Sequence, residues 1–225
     1  MEEIARRLGR IRVFDQLPEA ECLALIREAQ RVRLESTEYL FHQGDVWPCV
    51  LFVLAGELRW QMLSLGGREH VLFTVGSDDV FWGHSLFDDE QMPASLVAST
   101  KSEAMVWNRE TILPHLFNYP RMLWEVTKMQ VETMRQARKI IYGLAFQPVS
   151  ARLAGLLLES FEDHSEEATI DRDFTLSEMA TMVASSPEVV CRMLHQFQAS
   201  GVLEVTRARI TLRDPQGLRN ILEQD

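Results

Sequence analysis

Cysteine is scarce in this sequence. Three residues, Cys22, Cys49 and Cys191, lie far apart with no CxxC pair and no metal-ligand spacing, which excludes a disulfide framework and a zinc site built on them. No apolar run is long enough to span a bilayer, so membrane integration is not expected. The first residues, MEEIARRLGRIRVF, lack the uninterrupted apolar centre of a secretion signal. A reduced, cytoplasmic protein is the expectation. Excess positive charge is also missing: the formal net charge is −10, which argues against a non-specific polyanion binder. Between Arg68 and Lys101 there is no arginine or lysine at all. Paired carboxylates in a credible pocket, a nucleophile elbow and a phosphate loop are not found either, so no enzymatic step is expected. Internal repeats and low-complexity tracts are absent. What remains is an ordinary globular composition, 46% hydrophobic over 225 residues, enough for one large domain or two small ones.

The most informative stretch is 175–201, TLSEMATMVASSPEVVCRMLHQFQASG. Thr175 with Glu178 forms a capping box that starts one helix. Ser186 and Pro187 supply an N-cap and a first-turn proline for a second, and Gly201 ends it. On the second helix Val190, Met193, Leu194 and Phe197 repeat at the spacing of a buried face, and Glu188, Cys191, Arg192 and His195 form the opposite stripe. Met179, Met182 and Val183 give the first helix an apolar partner surface. This is the layout of a helix-turn-helix, whose second helix enters the DNA major groove. It is equally the layout of a helical hairpin with a solvated polar face, and these residues alone leave both readings open. Charge is distributed in a way that permits DNA binding: residues 188–213 hold four arginines (192, 207, 209, 213) against two acids (188, 204), locally net +2.

In chain order, residues 1–30 read as helical, with Pro18 opening a helix through Leu25 and Ile26. From Arg31 the pattern changes to short strands, at Leu34, 39–41, 50–54, 58–63, 71–75, 96–98 and 104–107, punctuated by Gly44, Gly56, Gly66, Gly67 and Gly76. Residues 31–107 are therefore all-β. A short helix precedes Pro120, and 121–146 is one long helix. On it Met122, Val126, Met129, Ala137, Ile140 and Leu144 share a face that Leu123, Met134 and Ile141 widen. Gly143, Gln147 and Pro148 mark a hinge. A helix over 150–161, a polar loop, a two-stranded wing over 202–213 and a final helix over 215–223 complete the chain.

The run LFHQGDVWPCVLFVLAGELRWQMLSLGGREHVLFTVGSDDVF resembles the cyclic-nucleotide-binding jelly roll of the CRP/FNR family of bacterial transcription regulators. The HQG turn, the strand ending in AGE, the glycine turn before REHVLF and the GSDDVF segment fall in the family's order. The likeness resumes at GLAFQPVSARLAGLLLESF, at the helix-turn-helix, and at FQASGVLEV and RITLRD of the wing. It implies an α+β protein: an N-terminal β jelly roll over 1–120, a dimerisation helix over 121–146, and a C-terminal winged helix-turn-helix over 147–225. It also implies a homodimer on double-stranded DNA, with RNA polymerase as a further partner and no membrane.

For the reading surface, the resemblance places Glu188, Cys191 and Arg192 where FNR-like regulators carry Glu, Ser and Arg, which are linked to TTGA-type half-sites. Thr175, Ser177, Ser186, Arg207 and Arg209 are then expected at phosphates. Ala184 stands where the turn usually has glycine. For the effector pocket, it points to Trp82, Gly83, His84, Ala94, Ala137 and Arg138. The family's GE turn reads here as Gly83 and His84, and the Arg-Ser pair that holds the cyclic phosphate is replaced by Pro93, Ala94 and Ser95. Cyclic AMP is therefore not expected, because its phosphate would be buried without a counter-charge. An FNR-type iron–sulfur cluster is not expected either, since Cys22 and Cys49 are the only cysteines near the N-terminus. His84 offers one nitrogen to a haem, or is simply a hydrogen-bonded structural histidine. An unliganded regulator, and an effector-binding protein whose winged helix touches protein rather than DNA, are the alternatives.

Overall fold

The computed structural model describes residues 1–161, 169–171, 175–206 and 208–223. In chain order the elements are α1 (Glu2–Leu8), α2 (Glu19–Glu28), β1 (Gln30–Leu34), β2 (Tyr39–Phe41), β3 (Cys49–Ala55), β4 (Leu58–Leu63), β5 (Glu69–Val75), β6 (Val80–Trp82), α3 (Ser85–Asp88), β7 (Ser95–Ala98), β8 (Ser102–Asn108), α4 (Arg109–Asn118), α5 (Pro120–Phe146), α6 (Val149–Phe161), β9 (Thr169–Asp171), α7 (Leu176–Met182), α8 (Pro187–Ala199), β10 (Leu203–Val205), β11 (Arg209–Leu212) and α9 (Pro215–Leu222). Two compact units result, Met1–Gly67 with Val71–Gln136, and Arg68–His70 with Ala137–Asp225, the division falling inside α5. No helix of the described residues is long and apolar enough to cross a membrane.

The first unit is built on two four-stranded sheets, ordered β1-β8-β3-β6 and β2-β7-β4-β5, the jelly-roll arrangement that the sequence motifs implied. Its central strand is β3, where Val50 to Val53 are all fully buried. A strand facing solvent on one side would alternate; this one does not, because both of its faces are covered. Val50, Phe52 and Leu54 enter a core shared with α1, α2, α4 and the start of α5. Leu51 and Val53 enter a second core between the sheets, with Trp60, Phe81 and Leu96. The Trp107 indole N–H donates to the Leu25 carbonyl at 2.7 Å, tying α2 to β8. Gly56 turns β3 into β4 at φ +85°, and a Cβ there would sit 2.5 Å from the Lys101 carbonyl oxygen, so glycine is required by both conformation and space. The sequence pattern missed β6: three apolar residues are too few to show a period.

The long helix departs from the expected single face. Met122 and Val126 are buried against the β domain's helical core, with Met129 packed beside them. A second stripe, Leu123, Trp124, Val131, Met134 and Ile141, is exposed, Trp124 at 62% and Met134 at 72%.

In the second unit, α6, α7, α8 and α9 enclose one core with a sheet ordered β10-β11-β9. The expected two-stranded wing over 202–213 is present as β10 and β11, and a third strand joins its sheet. Strand β9 comes from within the polar loop and pairs with β11, Ile170 facing Ile210. Its short length and polar flanks hid it from the pattern.

Candidate functional site

The helix-turn-helix is α7 and α8. The Thr175 hydroxyl accepts from the Glu178 N–H at 3.2 Å, and the Glu178 carboxylate accepts from the Thr175 N–H at 2.8 Å. Val190, Leu194 and Phe197 are buried, with Met193 partly so, against Met179 and Val183 of α7. That leaves Glu188, Arg192 and His195 exposed and Cys191 half-buried on one outward stripe.

Both helices end in the same device. After α8 the Val202 N–H reaches the Phe197 carbonyl at 3.0 Å around Gly201, whose φ is +77°. After α7 the Ser185 N–H reaches the Ala180 carbonyl at 2.9 Å around Ala184, whose φ is +49°. These are Schellman closures, and the second puts alanine in the left-handed region that glycine occupies without cost. The turn between the helices therefore keeps the closure that glycine usually serves, with alanine in a strained conformation.

Ser186 departs from its expected role as a side-chain cap. It occupies the N-cap position of α8, but its side chain makes no cap bond. The Ser186 hydroxyl and the Glu188 backbone N–H instead favour the charged Glu188 carboxylate, keeping its pKa below the ordinary value. Thr175 and Ser177 are exposed at the start of α7, the Thr175 hydroxyl already engaged in its cap. Arg209 is exposed on β11. Arg207, expected beside it, lies outside the described residues. Arg213 pairs with Glu204 at 2.6 Å, so its charge is partly spent within the wing.

The first unit holds a cavity of about 510 Å³ between the β sheet and α5. Of the pocket residues expected from sequence, Trp82 and His84 line it. Gly83 and Ala94 do not: a Cβ on Gly83 would lie 2.5 Å from the Trp47 carbonyl oxygen, and Ala94 is fully buried in the core between the sheets. Ala137 and Arg138 belong to the other unit. The walls that sequence reasoning missed are Trp60 and Phe73 from the sheet, Asp78 and Asp79 from the turn before β6, and Met129, Gln130, Glu132 and Thr133 from α5. The polar members at i and i+3 on a helix read as solvated face until the sheet is placed beside them. Among the described lining residues Arg12 is the one arginine or lysine, and it already contacts Glu125 at 2.8 Å and Glu132 at 3.2 Å. Burial lowers the His84 pKa below its ordinary value, opposed in part by Asp88. Among the described residues no group of three or more His, Cys, Asp or Glu is arranged to hold a metal ion.

Two family models match: residues 31–119 as a cyclic nucleotide-binding domain, and residues 151–221 as a Crp-like helix-turn-helix domain. Over 222 residues the chain is 22% identical to a CRP-like cAMP-activated global transcriptional regulator of Mycobacterium tuberculosis, covering 97% of this chain and 98% of that protein. It is 26% identical over 182 residues to the cyclic AMP receptor protein of Thermus thermophilus, covering 81% and 83%. Among solved structures, a CooA mutant from Carboxydothermus hydrogenoformans has the same fold, with a TM-score of 0.77 at 20% identity over 89% of this chain and 90% of that one. The c-di-GMP responsive global regulator CLP of Xanthomonas campestris gives 0.74 at 21% identity over 87% and 99%. With both domains matched in order over most of its length, and with the helix-turn-helix geometry described, the chain belongs to the CRP/FNR family of DNA-binding transcription regulators, a family without enzymatic activity.

Proposed function

We propose that the protein is a cytoplasmic homodimer that reads a palindromic site with TTGA-type half-sites, and that a ligand other than cyclic AMP controls it from the β-domain cavity. In this reading residues 1–120 are the effector module, 121–146 the dimer helix and 147–225 the DNA-binding domain. The outward stripe of α8 carries the proposal. Arg192 offers a bidentate donor pair to guanine O6 and N7, and Glu188 accepts from cytosine N4. Cys191 supplies a small contact between them. Thr175, Ser177, Ser186, Arg207 and Arg209 serve the phosphates and fix register, Thr175 by setting the start of α7, since its hydroxyl and its N–H are both engaged by Glu178. Two α8 helices related by a two-fold axis would enter major grooves about one helical turn apart. The exposed stripe of α5 is the surface for its twin, and a shift along it would bias two pre-existing arrangements of the reading helices. RNA polymerase is the expected further partner.

Against cyclic AMP stands the cavity's charge: its single arginine is engaged by two carboxylates, and its rim is acidic. The same acids oppose the propionates of a haem, and His84 alone does not make a haem site. Gel-shift titration of a TTGA palindrome against a scrambled duplex tests the function. Preference for the palindrome is expected; equal or no binding to both would favour a winged helix that contacts protein.

A further inference from the structure

We propose that the β-domain cavity is a site for a small organic cation with an aromatic or quaternary ammonium body. This deepens the effector reading above, on which it rests for any consequence at DNA, but not for the binding itself.

The walls come first. Trp60 stands edge-to-face against three rings: Phe73 at 4.8 Å and 70°, Phe81 at 5.3 Å and 78°, and His84 at 5.0 Å and 88°. Rings set perpendicular to one another present π faces to a shared space from more than one side. Each face carries the negative part of the ring quadrupole, and a cation within about 6 Å of the centroid is attracted to it. The indole nitrogens of Trp60 and Trp82 are covered and have no hydrogen-bond partner, so what these rings show to the cavity is carbon. That is a poor lining for a phosphate and a good one for a delocalised or methylated cation.

Charge points the same way. The lining contains Asp78, Asp79 and Glu132 against Arg12 alone, a formal excess of two negative charges. Arg12 is engaged by Glu125 and Glu132. Asp78 is balanced by Arg7 at 2.7 Å, but Asp79 makes no ion pair among the described residues and takes only the Gly76 N–H, at 2.7 Å. Burial disfavours a positive charge on His84. An anion entering this space meets carboxylates with no free guanidinium. A cation meets both carboxylates and ring faces. The volume of about 510 Å³ suits a molecule of a few fused rings or less.

The test is calorimetry on the full chain without DNA, at mildly alkaline pH, with four probes: N-methylquinolinium, its neutral isostere 2-methylquinoline, the anion quinoline-2-carboxylate, and cyclic AMP. The quinolinium is expected to bind at least about tenfold more tightly than the neutral ring, and the two anions not at all. Asp79→Asn combined with Glu132→Gln, both exposed positions that should fold normally, should reduce the quinolinium to the affinity of the neutral ring and leave the latter unchanged. Phe73→Leu should weaken both. Circular dichroism and melting of the free variants confirm their fold. Equal or tighter binding of the neutral ring, binding of either anion in preference, or no heat from quinolinium at millimolar concentration would overturn the proposal. A gel shift on the same preparations separates the two readings. Failure to bind DNA removes the regulator and leaves the cation site; failure to bind quinolinium removes the site and leaves the regulator.

Discussion

At the scale of single residues, the turn of the helix-turn-helix holds an unusual choice. Ala184 sits at φ +49° in the position that Gly201 fills at the end of α8, although the closing hydrogen bonds are the same. A Cβ in the left-handed region costs about 1 kcal/mol. Ala184→Gly should therefore raise the melting temperature of the C-terminal unit by a few degrees; an unchanged or lower value would mean that unfolded-chain entropy offsets the relief of strain. Two exposed arginines of this unit, Arg192 and Arg209, should differ in kind. Arg192 is one turn into α8, and its loss should cost roughly 1–3 kcal/mol on the cognate site and flatten discrimination at one guanine. Arg209 is on the wing, where backbone is in reach, so Arg209→Ala should weaken cognate and scrambled DNA alike and lower the salt slope by about 1. Binding of both variants to both duplexes across a salt series checks this; the opposite pattern would mean that the wing, not α8, reads the bases. Arg192 and Glu188 were legible from spacing alone. That the Ser186 side chain makes no cap bond to α8 was not, because an N-cap serine reads the same in sequence whichever way its hydroxyl turns.

At the scale of elements, two pairings can be tested. Strand β1 lies against β8, with Arg33 opposite Glu103 and Arg31 close enough to share its carboxylate at 2.8 Å. The two guanidiniums hold the Glu103 carboxyl at about 2, well below its ordinary 4.5. A depressed carboxyl pKa stabilises the fold above its unfolded value and ceases to do so as pH falls to the folded one. The difference in stability between the protein and Glu103→Gln should thus be about 1 kcal/mol or less near neutrality, the carboxylate being partly solvated, and should shrink between about pH 4.5 and 2. A difference that does not change with pH would assign the effect to packing. The second pairing concerns α5. Its sequence showed one broad apolar face, broader than a single contact needs, and that breadth was the legible clue. Which part faces inward was set by the jelly roll: Met122 and Val126 complete its core, leaving Trp124, Val131 and Met134 outside. If α5 is the dimer helix, the native chain should be a dimer by light scattering and Trp124→Glu with Met134→Glu a folded monomer. A dimer that survives would place the interface elsewhere.

For the molecule as a whole, the acidic balance of −10 confines any DNA contact to the strip around α8 and the wing. It also bears on the effector. A ligand at 100 times its dissociation constant would add ~2.7 kcal/mol to stability, a readily measured rise in melting temperature. Cyclic AMP at millimolar concentration should produce no such rise and no change in DNA affinity; a clear rise would show that the phosphate finds a counter-charge despite the engagement of Arg12.

The sequence by itself determined the succession of a β-rich first part, a long helix and a helix-turn-helix, and the absence of arginine and lysine between Arg68 and Lys101, though not β6 or β9. These are local: capping boxes, helical stripes, glycine turns and residue identities need only a few neighbours to be read. The tertiary structure alone decided what is assembled from distant segments. Strand β9 is visible only once β11 lies beside it, since three residues carry no period. The cavity draws Trp60 from one strand, Asp79 from a turn and Glu132 from a helix, and no spacing in the chain links them. Burial is likewise collective: β3 is apolar at every position because two layers cover it, and the His84 pKa is lowered by what folds around it.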